Sequence, residues 1–396
     1  MFNVAVVFGG ISVEHEVSVI TGLQVIENLD KEQFNPIPIY ISKEGRFYSG
    51  EMLKDFKTYK EGKYREATEV FIIPQKGDRF LYSTKVVGGI FKKTHTENYI
   101  YARIDAIFPA LHGTFGEDGA IQGLFEYMNI PYVGCGVLAG ACGMDKVIMK
   151  DIFKANNIPV VDYTYFYRSE LKDLQSVLKK CEKLGYPLIV KPANLGSSIG
   201  ISKVKDTLEL TKALEVASNY DKKIIVEKCL TDHREINVAV LGDQDDLKVS
   251  ACEEPITAED ILTYGDKYVG SSKTKMASQE NQKKKLPADL SKEVHNKICQ
   301  LAKESFKAID ATGVSRIDFL LKNDEVYVNE INTLPGSIAF YLFEVEGLSF
   351  KDLLTKLLEI AIKRFKEKEE NVYSYDSNLF NKTSYGAKIK WLKKRF

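Results

Sequence analysis

Residues 3–8, Asn-Val-Ala-Val-Val-Phe, form an apolar run that stops at Gly9-Gly10. An amphipathic stretch from Ser12 to Leu29 follows, and then a second apolar run, Pro36 to Ile41. Strand, glycine turn, helix and strand in this order predict the opening of a parallel α/β layer. From 45 to 100 polar and apolar positions alternate, which is the pattern of hairpins. A further apolar run, Ile104 to Leu111, ends in the turn-rich His-Gly-Thr-Phe-Gly-Glu-Asp-Gly. A helix over 121–128 and a short strand, Pro131–Gly134, complete a first domain, expected to span 1–135.

A helix over 144–156, rich in Met, Lys and Ile, starts the second region. Another helix is expected at 169–184, a strand at Tyr186–Lys191, a Gly/Ser loop at Asn194–Gly200, and strands at 200–204 and 223–228. This second domain is expected over 136–232. A third, over 233–363, alternates strands with one long polar excursion, 254–288, and a helix at 291–308. Residues 364–396 read as a basic extension. From Asn381 to Phe396 there are six Lys or Arg, no acid and the single tryptophan, Trp391. That tail is expected to be a solvated or packed terminal helix, with contact to an acidic partner the minority reading.

Composition narrows the class. The chain has 396 residues, enough for several domains, and 28% of them are charged. Fifty-five Lys+Arg balance 55 Asp+Glu, which argues against a whole-protein footprint for nucleic acid or an anionic membrane. No apolar run approaches the ~18 residues of a membrane span, and MFNVAVVFGG runs straight into a strand pattern without a cationic n-region or cleavage site, so no targeting segment is expected there. Six cysteines stand far apart without a CxxC pair, and the spacing of Cys135 and Cys142 fits no common zinc motif. They read as reduced thiols, mostly buried, of a cytoplasmic protein.

The strongest chemistry lies in Gly313–Gly336, Gly-Val-Ser-Arg-Ile-Asp-Phe-Leu-Leu-Lys-Asn-Asp-Glu-Val-Tyr-Val-Asn-Glu-Ile-Asn-Thr-Leu-Pro-Gly. Two strands, 314–322 and 326–332, flank a turn. With a three-residue loop at 323–325, position 318 lies opposite 330 and 316 opposite 332. Cross-strand partners share a face, as do i and i+2 neighbours. Arg316, Asp318, Glu330 and Asn332 then point the same way, and three oxygen ligands beside an arginine suit a hard cation and phosphate. The competing reading is the solvent-facing side of an antiparallel sheet. Ile317, Phe319 and Leu321 already supply a core face, which weakens it.

Three other segments are weaker alone. In Pro187–Val204, Lys191 closes an apolar strand, and Gly196-Ser197-Ser198-Ile199-Gly200 can wrap N–H groups around an anion. It matches neither a Walker loop nor GxGxxG, and an ordinary hairpin turn is the plainer reading. Ile224–Leu230 ends in Glu227-Lys228 and leads to Arg234-Glu235, resembling an edge that holds a nucleotide base. Phe8–Ser18 puts a glycine pair at a helix N-terminus, with Ser12, Glu14 and His15 nearby, and His112 comes from a neighbouring strand end.

Taken together and in order, these segments resemble the D-alanine–D-alanine ligase family of the ATP-grasp superfamily. The matching pieces are FGGISVEHEVS, FPALHGTFGEDGAIQG, PYVGCGVLAGACGMDK, YPLIVKPANLGSSIGISKV, IIVEK, DKY at 266–268 and RIDF…VNEINTLPG. The resemblance implies a mixed α/β (α+β) ATP-grasp fold behind an N-terminal parallel-sheet domain. It implies ATP-dependent joining of two D-amino acids through an acyl phosphate, supplying peptidoglycan precursors. ATP would meet Lys146, Lys191, Glu227, Lys228, Glu235 and Lys267, with Lys146 and Lys191 towards the phosphates and Glu227 at the adenine edge. Two Mg2+ ions, replaceable by Mn2+, would be held by Asp318, Glu330 and Asn332. Arg316 and the Gly336 N–H would stabilise the transferring phosphoryl group and oxyanion. Glu14 would anchor the first ammonium and, with Ser197 and Tyr268, form a hydrogen-bonded triad; Lys267 and Tyr268 would sit on a loop that closes over ATP. His112 would stand near the first carboxylate.

One departure affects the acceptor. The family usually has serine six residues after the proline of the Pro-Gly turn, where it grips the second carboxylate. Here Tyr341 takes that place, with Leu342 beside it and Ser337 as a substitute donor. D-serine, or another amino acid, therefore stands as an alternative acceptor, and a regulator without turnover as a remoter one. Tyr268 occurs where hydroxy-acid-using members often carry histidine, which favours an amine acceptor. The resemblance further implies a homodimer formed through the N-terminal domain.

Overall fold

The computed structural model describes residues 1–89, 92–256, 284–375 and 377. Strands β1 (Phe2–Gly9), β2 (Phe34–Ile41), β3 (Phe47–Ser49), β4 (Thr68–Ile72), β5 (Phe80–Gly89), β6 (Lys92–Arg103) and β7 (Ala106–Pro109) make one sheet. Their order is β6-β5-β4-β3-β2-β1-β7. β2, β1 and β7 are parallel, and α1 (His15–Asn28) connects β1 to β2. Both faces of β1 are covered, which is why it reads as an unbroken apolar run. The remaining strands form the expected antiparallel meander.

Between β3 and β4 the chain turns helical rather than extended, through short 3-10 turns and α2 (Phe56–Lys60). Asp55 caps α2, its carboxylate accepting the Lys57 N–H. After β7 comes α3 (Ala120–Met128). The strand expected at Pro131–Gly134 is a single bridge, Ile107 to Tyr132. The helix expected over 144–156 is α5 (Lys146–Ala155), and a further helix that the pattern did not announce, α4 (Val137–Met144), precedes it. Asp145 breaks them apart, its carboxylate accepting the Val147 and Ile148 N–H groups as the cap of α5.

A second, antiparallel sheet has the order β10-β9-β11-β8, from β8 (Tyr163–Tyr167), β9 (Leu188–Pro192), β10 (Ser202–Val204) and β11 (Lys223–Lys228). Helices α6 (Leu174–Glu182) and α7 (Thr207–Tyr220) cover it with their apolar faces. A third sheet, also antiparallel, has the order β13-β12-β16-β17, from β12 (Arg234–Gly242), β13 (Leu247–Val249), β16 (Gly313–Lys322) and β17 (Glu325–Asn332). Its core face meets α8 (Lys292–Ala308) and parts of α4 and α5. A small ribbon, β14 (Glu254–Pro255) with β15 (Lys284–Lys285), stands beside it.

The chain ends its described course in α9 (Phe340–Glu344) and α10 (Phe350–Glu369). Leu353, Leu354, Leu357, Leu358 and Ala361 of α10 share one core with β1, β2 and β7. Arg364 donates to the carbonyls of Gly134 (2.6 Å) and Tyr132 (3.0 Å), and Lys368 pairs with Glu126. The division expected at residue 363 therefore falls inside a helix, whose apolar stripe finds its cover on the first sheet. The tail 381–396 lies outside the described residues. Among the described residues no helix is long and apolar enough to cross a membrane.

Candidate active site

The second and third sheets face α1 of the first region around a cavity of about 680 Å3, within the usual range of small-molecule sites. Its acidic wall is the β16–β17 hairpin. Asp318 faces Glu330 and Arg316 faces Asn332, the pairing expected from the sequence, but by a different route. The turn holds two residues, Asn323 and Asp324, both with positive φ as such tight hairpins require. A bulge then follows, because Phe319 pairs with Val328 and Asp318 with Glu330, so that Asn329 is extra. The shorter turn and the bulge cancel. Glu330 and Asn329 both reach the cavity, whereas without the bulge Asn329 would take Glu330's register.

Across the sheet, Asn237 of β12 lies opposite Asp318, and Glu253 bridges to Asn237. The row Glu253–Asn237–Asp318–Glu330 thus lines one face. Arg316 grips Asp318 with two donors, Nε at 2.7 Å and Nη2 at 2.8 Å, and the Asn332 amide donates to Asp318 at 3.2 Å. Burial alone would lower the guanidinium pKa, yet the adjoining Asp318 charge and hydrogen bonds hold it well above its ordinary value.

The basic wall comes from β9, β11 and α5. Lys191 Nζ is 2.6 Å from Glu227 Oε2, and Lys150 Nζ is 3.1 Å from Glu227 Oε1. Lys191 also donates to Asn329 at 3.4 Å, joining the bulge to this wall. Burial tends to raise the Glu227 pKa, but the two lysines pull it down to about 2. Burial lowers Lys150, only partly offset by Glu227, while Glu227 more than compensates the same burial at Lys191 and raises it. Lys146 donates to the Leu195 carbonyl at 3.0 Å and lies 3.7 Å from Glu330. The Glu227 carboxylate, expected at an adenine edge, is turned instead into this buried lysine pair, which satisfies a charge that could not otherwise be desolvated. Lys228 and Glu235 line the cavity as expected.

The N-terminal wall is Glu14, at the N-cap of α1. It accepts a short hydrogen bond from the Ser197 hydroxyl, so two members of the triad that the resemblance implies do meet. The third member, Tyr268, lies outside the described residues, as does Lys267. A Cβ at Gly113, whose φ is +72°, would be strained and stand 2.7 Å from Glu14 Oε2, and one at Gly196 would press on the same oxygen at 3.1 Å. His15, by contrast, is structural, bonded to the Gly10 carbonyl and the Tyr40 hydroxyl.

The last wall is the loop after β17. Ser337, Ile338 and Ala339 all have positive φ, between 50° and 57°, conformations costing roughly 1–2 kcal/mol each outside glycine. The loop is braced from α1 and from the segment after β7. Ser337 N–H donates to Thr21 Oγ1 at 3.2 Å, and Thr21 Oγ1 is 2.8 Å from His112 Nε2. His112 Nδ1 is 3.0 Å from the Leu334 carbonyl, which can only accept, so this network assigns the proton to Nδ1. His112 thus sits behind Thr21 rather than on the cavity surface. Gly336, Ser337 and Tyr341 line the cavity. The Tyr341 hydroxyl, expected as a carboxylate donor, is given to Glu253 at 2.9 Å, and Lys284 Nζ lies 4.2 Å from its ring centre. Burial, then the Glu253 charge, raises the Tyr341 pKa. Leu342, expected beside the acceptor, turns its side chain fully into the core because α9 packs there.

Sequence reading missed Lys150, Asn237, Asn329 and Glu253. Lys150 carried a signal: it stands four residues after Lys146 and three before the buried Phe153, a core position on an amphipathic helix.

Two antiparallel sheets closing on one cavity, lysines on one side and acids on the other, behind a parallel-containing layer, define a mixed α/β ATP-grasp architecture. The chain belongs to the D-alanine–D-alanine ligase family. Models described as D-ala D-ala ligase N-terminus and C-terminus match residues 3–135 and 152–359. It is 40% identical over 386 residues to a D-alanine–D-alanine ligase of Thermosipho africanus, covering 96% of this chain and 99% of that one. A D-alanine–D-alanine ligase of Acetivibrio thermocellus is 40% identical over 390 residues, covering 94% and 98%. The solved D-alanine–D-alanine ligase of Coxiella burnetii superposes with a TM-score of 0.75 at 30% identity, covering 93% of this chain and 98% of that one. The VanG D-Ala:D-Ser ligase of Enterococcus faecalis gives 0.75 at 30%, covering 91% and 99%.

Proposed function

We propose that this chain joins two D-alanines at the expense of ATP, releasing ADP and phosphate, to supply the dipeptide of peptidoglycan precursors in the cytoplasm. The observation that carries the reading is the facing of two walls in one cavity: Lys146 and Lys191 opposite Arg316, Asp318, Glu330 and Asn332. Phosphoryl transfer needs positioning and charge neutralisation more than covalent help from the protein.

The donor set of Asp318, Glu330 and Asn332 fits Mg2+. All three offer hard oxygens from one sheet face into open cavity volume. When bound there, the metal offsets charge on the terminal phosphates. Arg316 already orients Asp318 and is placed to share the charge of the transferring phosphoryl group. Lys146 and Lys191 neutralise the phosphates, Glu235 takes the ribose hydroxyls, and Lys228 lies along the base. Glu14, held by Ser197, binds the ammonium of the first D-alanine. The carboxylate of that D-alanine then attacks the γ-phosphorus of ATP, the bond to the β-phosphate breaks with ADP leaving, and the acyl phosphate forms. The amine of the second D-alanine attacks the acyl carbon, and phosphate leaves from the tetrahedral intermediate, whose oxyanion the Gly336 N–H stabilises. Ser337, its hydroxyl on the loop braced by Thr21 and His112, is the donor for the second carboxylate.

We further propose three working units divided near residues 135 and 232, the third running to the end of α10, and a homodimer through the first. Phosphate release is measured with ATP, Mg2+ and D-alanine, against an active ligase as positive control. Release dependent on D-alanine is expected, with dipeptide found by mass spectrometry. No release above background overturns the reading.

A further inference from the structure

Away from the cavity, α8 presents His295 and Cys299 one helical turn apart, and Cys252 reaches them from the segment that follows β13. One ligand atom from each lies within 4.8 Å of the other two. Cys299 Sγ is 3.8 Å from both ring nitrogens of His295. Cys252 is buried, Cys299 half-buried and His295 exposed, so the group opens to solvent on the imidazole side. None of the three lines the cavity, and nothing in the ligase chemistry uses them.

Around a tetrahedral zinc ion, with Zn–S of about 2.3 Å and Zn–N of about 2.0 Å, thiolate and imidazole ligand atoms stand roughly 3.6–3.8 Å apart. The sulfur–nitrogen spacing already meets that, and a rotamer adjustment closes the remainder. Two thiolates and an imidazole select a soft or borderline ion, whereas the all-oxygen row of Asp318, Glu330 and Asn332 selects a hard one. We propose that Cys252, His295 and Cys299 form a second metal site, for Zn2+, with water in the fourth position.

The site is placed to matter. Cys252 directly precedes Glu253, which holds the Tyr341 hydroxyl and Lys284, and the Cys252 carbonyl accepts the Ala288 N–H at 2.7 Å. An ion bridging Cys252 to α8 ties the wall behind Tyr341 to the core helix of the third sheet. It is therefore a stabilising clip rather than a reaction centre.

The test uses the full chain, reduced, stripped with chelator and desalted, then given Zn2+ alone and desalted again. About one zinc per chain is expected by elemental analysis, with a rise in melting temperature that Mg2+ does not reproduce. Co2+ in its place should show a thiolate charge-transfer band and tetrahedral visible bands. His295→Ala and Cys299→Ser, both on the outer side of α8, should lose the zinc, the cobalt spectrum and the thermal shift while keeping ligase activity. Zinc retained equally by these variants, or not retained by the parent chain, overturns the proposal. So does a Cys252–Cys299 disulfide in protein isolated under non-reducing conditions with thiols blocked, because the sulfurs would then be spent on each other.

Discussion

At one end of the cavity, charges are held by other charges on strands and helices. Glu227 sits between Lys150 and Lys191, and Asp318 lies in the fork of Arg316. At the other end, the loop 336–339 is held by a backbone donor and by the relay of Thr21 and His112, with three residues in the left-handed region. The difference follows from what each end must do. Groups that meet a polyphosphate must stay charged and still, and buried pairs on regular elements provide that. The loop proposed to meet the acceptor is kept in place by burying Ile338 and Ala339 in the core around the first sheet, so its shape is set by packing rather than by charge.

The largest effect is expected where the charged end is cut. Asp318→Asn and Glu330→Gln should each lower kcat by at least about 10²-fold, with circular dichroism unchanged. Near-normal turnover in either would remove the metal row from the mechanism. Next comes Lys150→Met. Truncating one partner of a buried ion pair costs roughly 3–5 kcal/mol, and because Lys191 remains, a loss of about 3 kcal/mol in urea unfolding is expected. No loss would mean that the buried cation contributes nothing to the wall.

The acid limb of stability sharpens the same point. Glu227 is lowered from 4.5 to about 2 in the fold, so its contribution is present above 4.5 and is lost as pH falls towards 2. That loss amounts to something on the order of 3 kcal/mol. In Lys150→Met the folded pKa moves back up and the limb should become shallower; an identical acid limb in both proteins would refute the coupling. The smallest effect is expected at the loop end. Tyr341→Phe removes a hydroxyl that serves Glu253, so about 1 kcal/mol of stability should go, with acceptor preference across a panel of D-amino acids unchanged. A switch in preference would return Tyr341 to the acceptor site.

Much of the charged end was legible because it is written in local periodicity. Period-two alternation in 314–332 put Arg316, Asp318, Glu330 and Asn332 on one face, although the register came out correctly only because a tighter turn and the Asn329 bulge offset each other. The role of Tyr341 was not legible. Its neighbours, Glu253 and Lys284, are distant in sequence, and only tertiary packing brings them to its ring and hydroxyl. Lys150 gave only half of its signal: the helical pattern marks its core position, but the acid that neutralises it lies on β11, distant in sequence. Cys252, His295 and Cys299 escaped because one ligand is far in sequence from the helical pair.

The packing of α10 onto the first sheet has a consequence for synthesis. Leu353 to Ala361 fill a face of the layer that β1 begins. The layer that β1 begins stays unfinished until Ala361 has left the ribosome. Its apolar side must be shielded meanwhile, so a ribosome stalled before α10 should expose a nascent chain that chaperones hold and proteases cut.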